Sequence, residues 1–120
     1  MNIRNAKSIS PVTSEHGEIV YELFGNSAGG SQAHSLARIV IPPGKASLKH
    51  YQPAAEESYS ILSGSARMEL DGESALVGAG DSIMIVPPQV HQIFNVGKDD
   101  LVMLVVCAPA WTPDNSVFVD

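Results

Sequence analysis

The sequence predicts an all-β fold, a sandwich or barrel of short antiparallel strands. Three observations lead there. Runs of β-branched and aromatic residues recur at near-regular spacing, turn residues rich in Gly, Pro and Asp separate them, and no stretch sustains a capped 3.6-residue period. At 120 residues the chain suits one domain, because a second would leave each half too small to bury a core.

Taken in order, residues 1–17 are polar and carry Pro11 and Gly17, which reads as an arm with one short strand, suited to pairing with a partner subunit. The single domain is then expected over 18–120. EIVYELFG at 18–25 is a strand, NSAGGSQ at 26–32 a flexible loop, and AHSLARIVI at 33–41 the next strand, stopped by Pro42, Pro43 and Gly44. KASLKHYQ, ESYSILSG, SARMELDG, ESALV, DSIMIV, VHQIFNV and LVMLVVC follow as further strands, about nine in all. Asp71-Gly72 between two alternating segments is a strong hairpin signal, and Gly78 and Gly80 belong to a turn. The tail PAWTPDNSVFVD has no regular pattern, and Trp111 and Phe118 are expected to lay it against the outside of the sheet.

Charge and cysteine usage exclude several classes. Seven Lys and Arg stand against thirteen Asp and Glu, a formal net charge of -6, which argues against nucleic acid and anionic membranes as partners. The N-terminus has no apolar signal-peptide core, and the longest apolar run, LVMLVVCAPAW, is too short to span a bilayer. The single cysteine, Cys107, permits no disulfide within the chain, so a reducing cytoplasm is the expected setting. Its apolar neighbours mark it as a core residue rather than a nucleophile. No G-x-S-x-G elbow, P-loop or dinucleotide-binding glycine pattern is present.

The chemistry concentrates between Gly44 and Gly64. His50 and Gln52 are two apart, so a strand presents both on one face. Glu56 and Glu57 open the strand after the turn, and His91 lies further on in VPPQVHQIFN. If the two strands are antiparallel neighbours, His50, Gln52 and Glu57 converge inside the sheet and His91 completes the set. Two imidazoles, a carboxylate and a carboxamide suit zinc, iron, manganese or nickel better than calcium, which takes oxygen ligands. The competing reading is a metal-free polar pocket, with Gln52 in a supporting role and Glu57 as general base.

On these residues the chain resembles the cupin superfamily. Gly44, His50, Glu57 and Gly64 fall on the first cupin motif, and Gly80, His91 and Asn95 on the second. The departures are Gln52 for the second His of the first motif, and Val86 and Pro88 for the inner Pro and Gly of the second. The match spans 33–107. It implies a jelly-roll β-barrel with one divalent transition metal on His50, Gln52, Glu57 and His91. Phosphomannose isomerases, within the same superfamily, hold zinc with a set that includes Gln.

Other residues acquire roles by position. Tyr59, two after Glu57, shares the inner face and is a candidate to position substrate or act as an acid, with a core tyrosine as the alternative. Arg38 and His34, four apart, are candidates for the barrel mouth, Arg38 to hold an anionic substrate, with two polar residues on an exposed strand face as the alternative. Glu56 and Lys49 point outward as solvated charges. Asn95 faces inward for structural reasons, and Met68, Met84 and Met103 are core packing. The expected function is a metal-dependent enzyme on a small oxygenated substrate, by isomerase, lyase or decarboxylase chemistry with a redox-inert metal or dioxygen chemistry with a redox-active one. The alternative is a binding module for a sugar or carboxylic acid. Sheet edges need cover, so a homodimer is expected.

Overall fold

The fold is described from a computed structural model, over residues 1–119. Its strands are β1 (Val12–Thr13), β2 (Ile19–Phe24), β3 (Ser35–Ile41), β4 (His50–Tyr51), β5 (Glu56–Ser63), β6 (Ser65–Leu70), β7 (Glu73–Gly78), β8 (Ser82–Ile85), β9 (His91–Asn95), β10 (Leu101–Ala108) and β11 (Val117–Phe118). Short 3-10 turns occupy Ala6–Ser8 and Pro113–Asn115. The nine expected runs all contain strands, β1 is the short strand expected in the arm, and β11 is additional.

The strands form two antiparallel sheets, one ordered β1-β2-β3-β10-β5-β8 and the other β11-β4-β9-β6-β7. The two face each other as a jelly roll, linked at one side by isolated bridges from Ala46 to Gly17 and Phe94. Alternation decides what lies between them. In β5, Glu57, Tyr59 and Ile61 are buried while Glu56, Ser58 and Leu62 are exposed. In β10 the buried positions are Leu101, Met103, Val105 and Cys107. The apolar core between the sheets centres on Ile39, Ile41, Ile61, Met68, Ile93 and Met103. Burying each such side chain contributes about 1.5–3 kcal/mol. Met68 and Met103 pack there as expected, but Met84 is 51% exposed, because β8 turns its even positions outward. There its sulfur accepts the Ser58 hydroxyl at 3.6 Å.

Gly64 makes the tight turn from β5 into β6 with φ +96°, and a Cβ there would lie 2.8 Å from the Asp100 carbonyl oxygen. Only glycine satisfies both the conformation and the close approach. Asn95 secures the opposite turn: its amide nitrogen donates to the Ile41 and Asp99 carbonyls at 2.8 Å each, and its oxygen accepts from Gly97 N.

Three expectations need correction. The stretch KASLKHYQ forms a strand only at His50–Tyr51. Upstream, Ser47 is pinned to β9 through its backbone and hydroxyl, both bonded at Ile93. Second, β4 and β5 are not neighbours. They belong to opposite sheets, so the ligands on them meet across the interior. Third, the tail does not lie outside the sheet. Trp111 N bonds Ser35 Oγ, the Trp111 indole bonds Ser116 Oγ, and Val117–Phe118 pairs with Tyr51 and His50. The arm is tied to its own domain: Val12 and Thr13 pair with Val20 and Ile19, and Arg4 donates to the carbonyls of Leu23, Ala28 and Gly29.

Candidate metal centre

His50 and His91 are paired directly across β4 and β9, and Glu57 reaches them from the facing sheet. One ligand atom from each of the three lies within 4.8 Å of the other two. His91 and Glu57 are buried, with His91 Nε2 3.1 Å from Glu57 Oε1. The His50 and His91 rings are tilted against each other with centroids 4.2 Å apart.

The backbone fixes both imidazoles. His50 Nδ1 lies 2.9 Å from the Leu48 carbonyl, and His91 Nδ1 lies 3.0 Å from the Gln89 carbonyl. A carbonyl only accepts, so each Nδ1 carries a proton, and each ring directs its Nε2 to the interior, where it is free to ligate once it carries no second proton. A bare Nε2 and a carboxylate oxygen in contact need a proton or a cation between them, and a metal ion satisfies both as ligands. His50 is held below the usual imidazole range by burial and by the neighbouring His91, which keeps it in the form that ligates.

Gln52 is the fourth member. It is 2% exposed, lines the same cavity, and neither its amide oxygen nor its nitrogen has a hydrogen-bond partner among the described residues. An orphaned buried amide costs about 1–3 kcal/mol per group, so its presence calls for a partner. A metal ion bound through the amide oxygen supplies one. The donor set therefore fits a divalent transition metal, which would act as a Lewis acid or redox centre when bound.

The cavity beside the centre holds about 360 Å³. Its wall includes Val12, Glu18, Val20, Glu22, Ala37, Ile39, Leu48, Tyr59, Val105, Cys107, Trp111 and Phe118. Tyr59 lies within it as expected, its ring edge-on to His91 at 5.9 Å. Burial, with the Glu57 carboxylate next, pushes the Tyr59 hydroxyl well above its ordinary value, so it stays protonated. Cys107 is pushed up to about 12 by burial and Glu57, consistent with an inert thiol.

Arg38 and His34 are not at this cavity. The inner face of β3 is Ser35, Ala37, Ile39 and Ile41, which puts Arg38 on the outer face. It borders a separate surface depression with Arg4, Lys7 and Tyr21. His34 is exposed and bonds Ser31. Sequence reasoning assigned no role to Glu18, which lines the cavity with Val20 and Glu22. Burial, with Glu57 next, raises Glu18 from 4.5 to about 7. The period-2 phase of Glu18, Val20 and Glu22 was the available signal. Glu22 is occupied, its carboxylate accepting from Ala28 N at 2.6 Å.

Two facing antiparallel sheets enclosing a three-to-four-ligand polar centre define a double-stranded β-helix protein with a candidate metal site. The chain belongs to the cupin family: the Cupin domain family matches residues 37–107. It is 32% identical over 112 residues to an uncharacterized protein of Methanocaldococcus jannaschii, covering 93% of this chain and 90% of that one. It is 30% identical over 99 residues to an oxalate-binding protein of Thermotoga maritima, covering 82% of each. Among solved structures it resembles a Thermotoga maritima protein described as a predicted oxalate decarboxylase, with TM-score 0.78, 26% identity, and coverage of 89% of this chain and 98% of that one.

Proposed function

We propose that the protein is a metal-dependent cupin that binds a small oxygenated molecule and acts on it. The observation that carries this reading is the buried amide of Gln52, which has no hydrogen-bond partner among the described residues and lines the same cavity as His50 and Glu57, with the His50 and His91 imidazoles fixed through Nδ1 and Glu57 in contact with His91. A structural polar cluster would satisfy Gln52 internally.

In this reading His50, Gln52, Glu57 and His91 hold the metal, whose open positions take the oxygens of the substrate. Tyr59 stays protonated beside the centre and offers a hydrogen-bond donor to a bound oxygen. The largely apolar wall lowers the local dielectric, which strengthens polar contacts made inside. The names of the Thermotoga relatives are consistent with small-molecule binding at such a centre.

The test is elemental analysis of untagged protein washed free of loose metal, followed by reloading. About one zinc, iron, manganese or nickel per chain, lost together in His50→Ala and His91→Ala, is the expected result. Absence of stoichiometric metal after reloading would overturn the proposal. A redox-inert metal directs assays to isomerase, lyase and decarboxylase chemistry, and a redox-active one to dioxygen uptake.

A non-catalytic binding cupin is the second reading. It is supported by the resemblance to an oxalate-binding protein of Thermotoga maritima. Substrate turnover by the loaded protein decides between the two.

A further inference from the structure

The charge on the cavity wall narrows the ligand. Among the described residues, no Lys or Arg lines the cavity, whereas Glu18, Glu22 and Glu57 do. The arginine that sequence position made a candidate, Arg38, borders the other depression. Most of the remaining wall is apolar, with Val12 and Phe118 among the lining residues and Trp111 bonded to Ser116 behind them. A divalent ion held by one carboxylate and three neutral donors leaves a net charge of about +1, which an ionised Glu18 on the same wall cancels, so the centre suits a neutral chelating oxygen pair. A ligand carrying negative charge finds no second cation and must approach two more carboxylates in a low-dielectric space.

We infer that the cavity selects an uncharged ligand, a ring-sized molecule with an apolar body and a hydroxy-ketone or enol head, over carboxylate and phosphate compounds. This rests on the proposed metal site for where the head group sits, but the exclusion of anions follows from the wall. It separates this chain from a reading by name, since oxalate is a dianion. The cavity volume of about 360 Å³ lies at the small end of ligand pockets and accommodates a single substituted ring. Glu22 keeps its carboxylate on the Ala28 amide, so Glu18 is the wall carboxylate free to meet the ligand. Discrimination is built by placing a like charge where the wrong ligand's charge must go.

The experiment is calorimetric titration at pH 8 of the protein as isolated, with its metal content measured on the same sample. The probes are 2-hydroxyacetophenone, phenylglyoxylate and oxalate, the first two sharing a body and differing in charge. Binding of the neutral probe at least about tenfold tighter than either anion is expected. In Glu18→Gln, phenylglyoxylate should gain roughly tenfold while the neutral probe changes less than about threefold. Oxalate or phenylglyoxylate binding more tightly than the neutral probe in the wild type overturns the inference, whether or not the variant folds. So does an unchanged ratio in a folded Glu18→Gln protein. Metal present with anion preference defeats this inference alone. Metal absent with neutral preference defeats the metal reading alone.

Discussion

His50 and His91 face each other across one register pair, and each gives its Nδ1 proton to the carbonyl two residues before it. The shared geometry leaves both Nε2 atoms aimed inward with no rotamer or tautomer change required for ligation. Preorganisation of this kind reduces the ordering cost of metal binding. Its mutational signature is asymmetric. His50→Ala and His91→Ala should abolish metal retention, Gln52→Ala should weaken it by about 10–100-fold, and Gln52→His should keep or tighten it. Competition with a chromophoric chelator measures all four, and full retention in Gln52→Ala would remove Gln52 from the ligand set.

The amide of Gln52 also marks a trade between stability and function. Replacing it with Met, similar in volume and free of unsatisfied groups, should raise the stability of the metal-free protein by about 1–2 kcal/mol. The same variant should gain less from added metal than the wild type does. Thermal melts with and without metal check both halves. A lower melting temperature for metal-free Gln52→Met would show that the amide is satisfied in solution.

Glu18 gives the metal-free protein a pH dependence of defined sign. Its carboxyl is raised from 4.5 to about 7 in the fold, chiefly by burial. Between those values the unfolded chain loses the proton and the folded one keeps it, so stability falls as pH rises through the window and levels off above about 7. The contribution is on the order of 1–3 kcal/mol after allowance for partial exposure. His50, lowered in the fold, works in the opposite direction, costing stability as pH falls below 6.5. The difference between wild type and Glu18→Gln isolates the glutamate. Parallel denaturation curves from pH 4 to 8 would contradict it.

Asn95 ties the end of β3 to the turn at 96–100 without touching the ligands. Asn95→Ala should cost about 2–4 kcal/mol, because two carbonyls and an amide lose their partner. Metal stoichiometry at low temperature should be unchanged. Loss of metal in a folded Asn95→Ala protein would assign it a part in the centre.

The outer face of the six-stranded sheet carries a row from Leu36 through Val106 and Ser58 to Met84, one residue from each of four adjacent strands. Val106 and Met84 are exposed, as is nearby Leu62. A second copy covering this face is the expected partner, giving a homodimer. Light scattering at micromolar concentration should report a dimer, and Val106→Asp a monomer. A monomeric wild type would refute it.

Much of this was legible in the sequence, for identifiable reasons. The strands were readable because Gly64 and the Asp71-Gly72 turn punctuate short β-rich runs. His50, Glu57 and His91 were readable because their spacing carries a motif. Strand partners were not, since pairing β4 with β9 rather than β5 depends on contacts distant in sequence. The face of Arg38 was left open because AHSLARIVI is apolar on both phases: Leu36 and Val40 alternate with Ala37, Ile39 and Ile41. Nothing local says which phase faces in. Glu18 was passed over for a different reason: in EIVYELFG its phase carries two glutamates, while Ile19, Tyr21 and Leu23 make the other phase read as the inner face.

The strand that bears His50 is two residues long and owes one edge to β9 and the other to Val117–Phe118. The edge of the His50 strand is therefore closed by residues that lie far along the chain, and a truncation that removes Val117–Phe118 would bare that edge while leaving the partners of β5 and β10 in place.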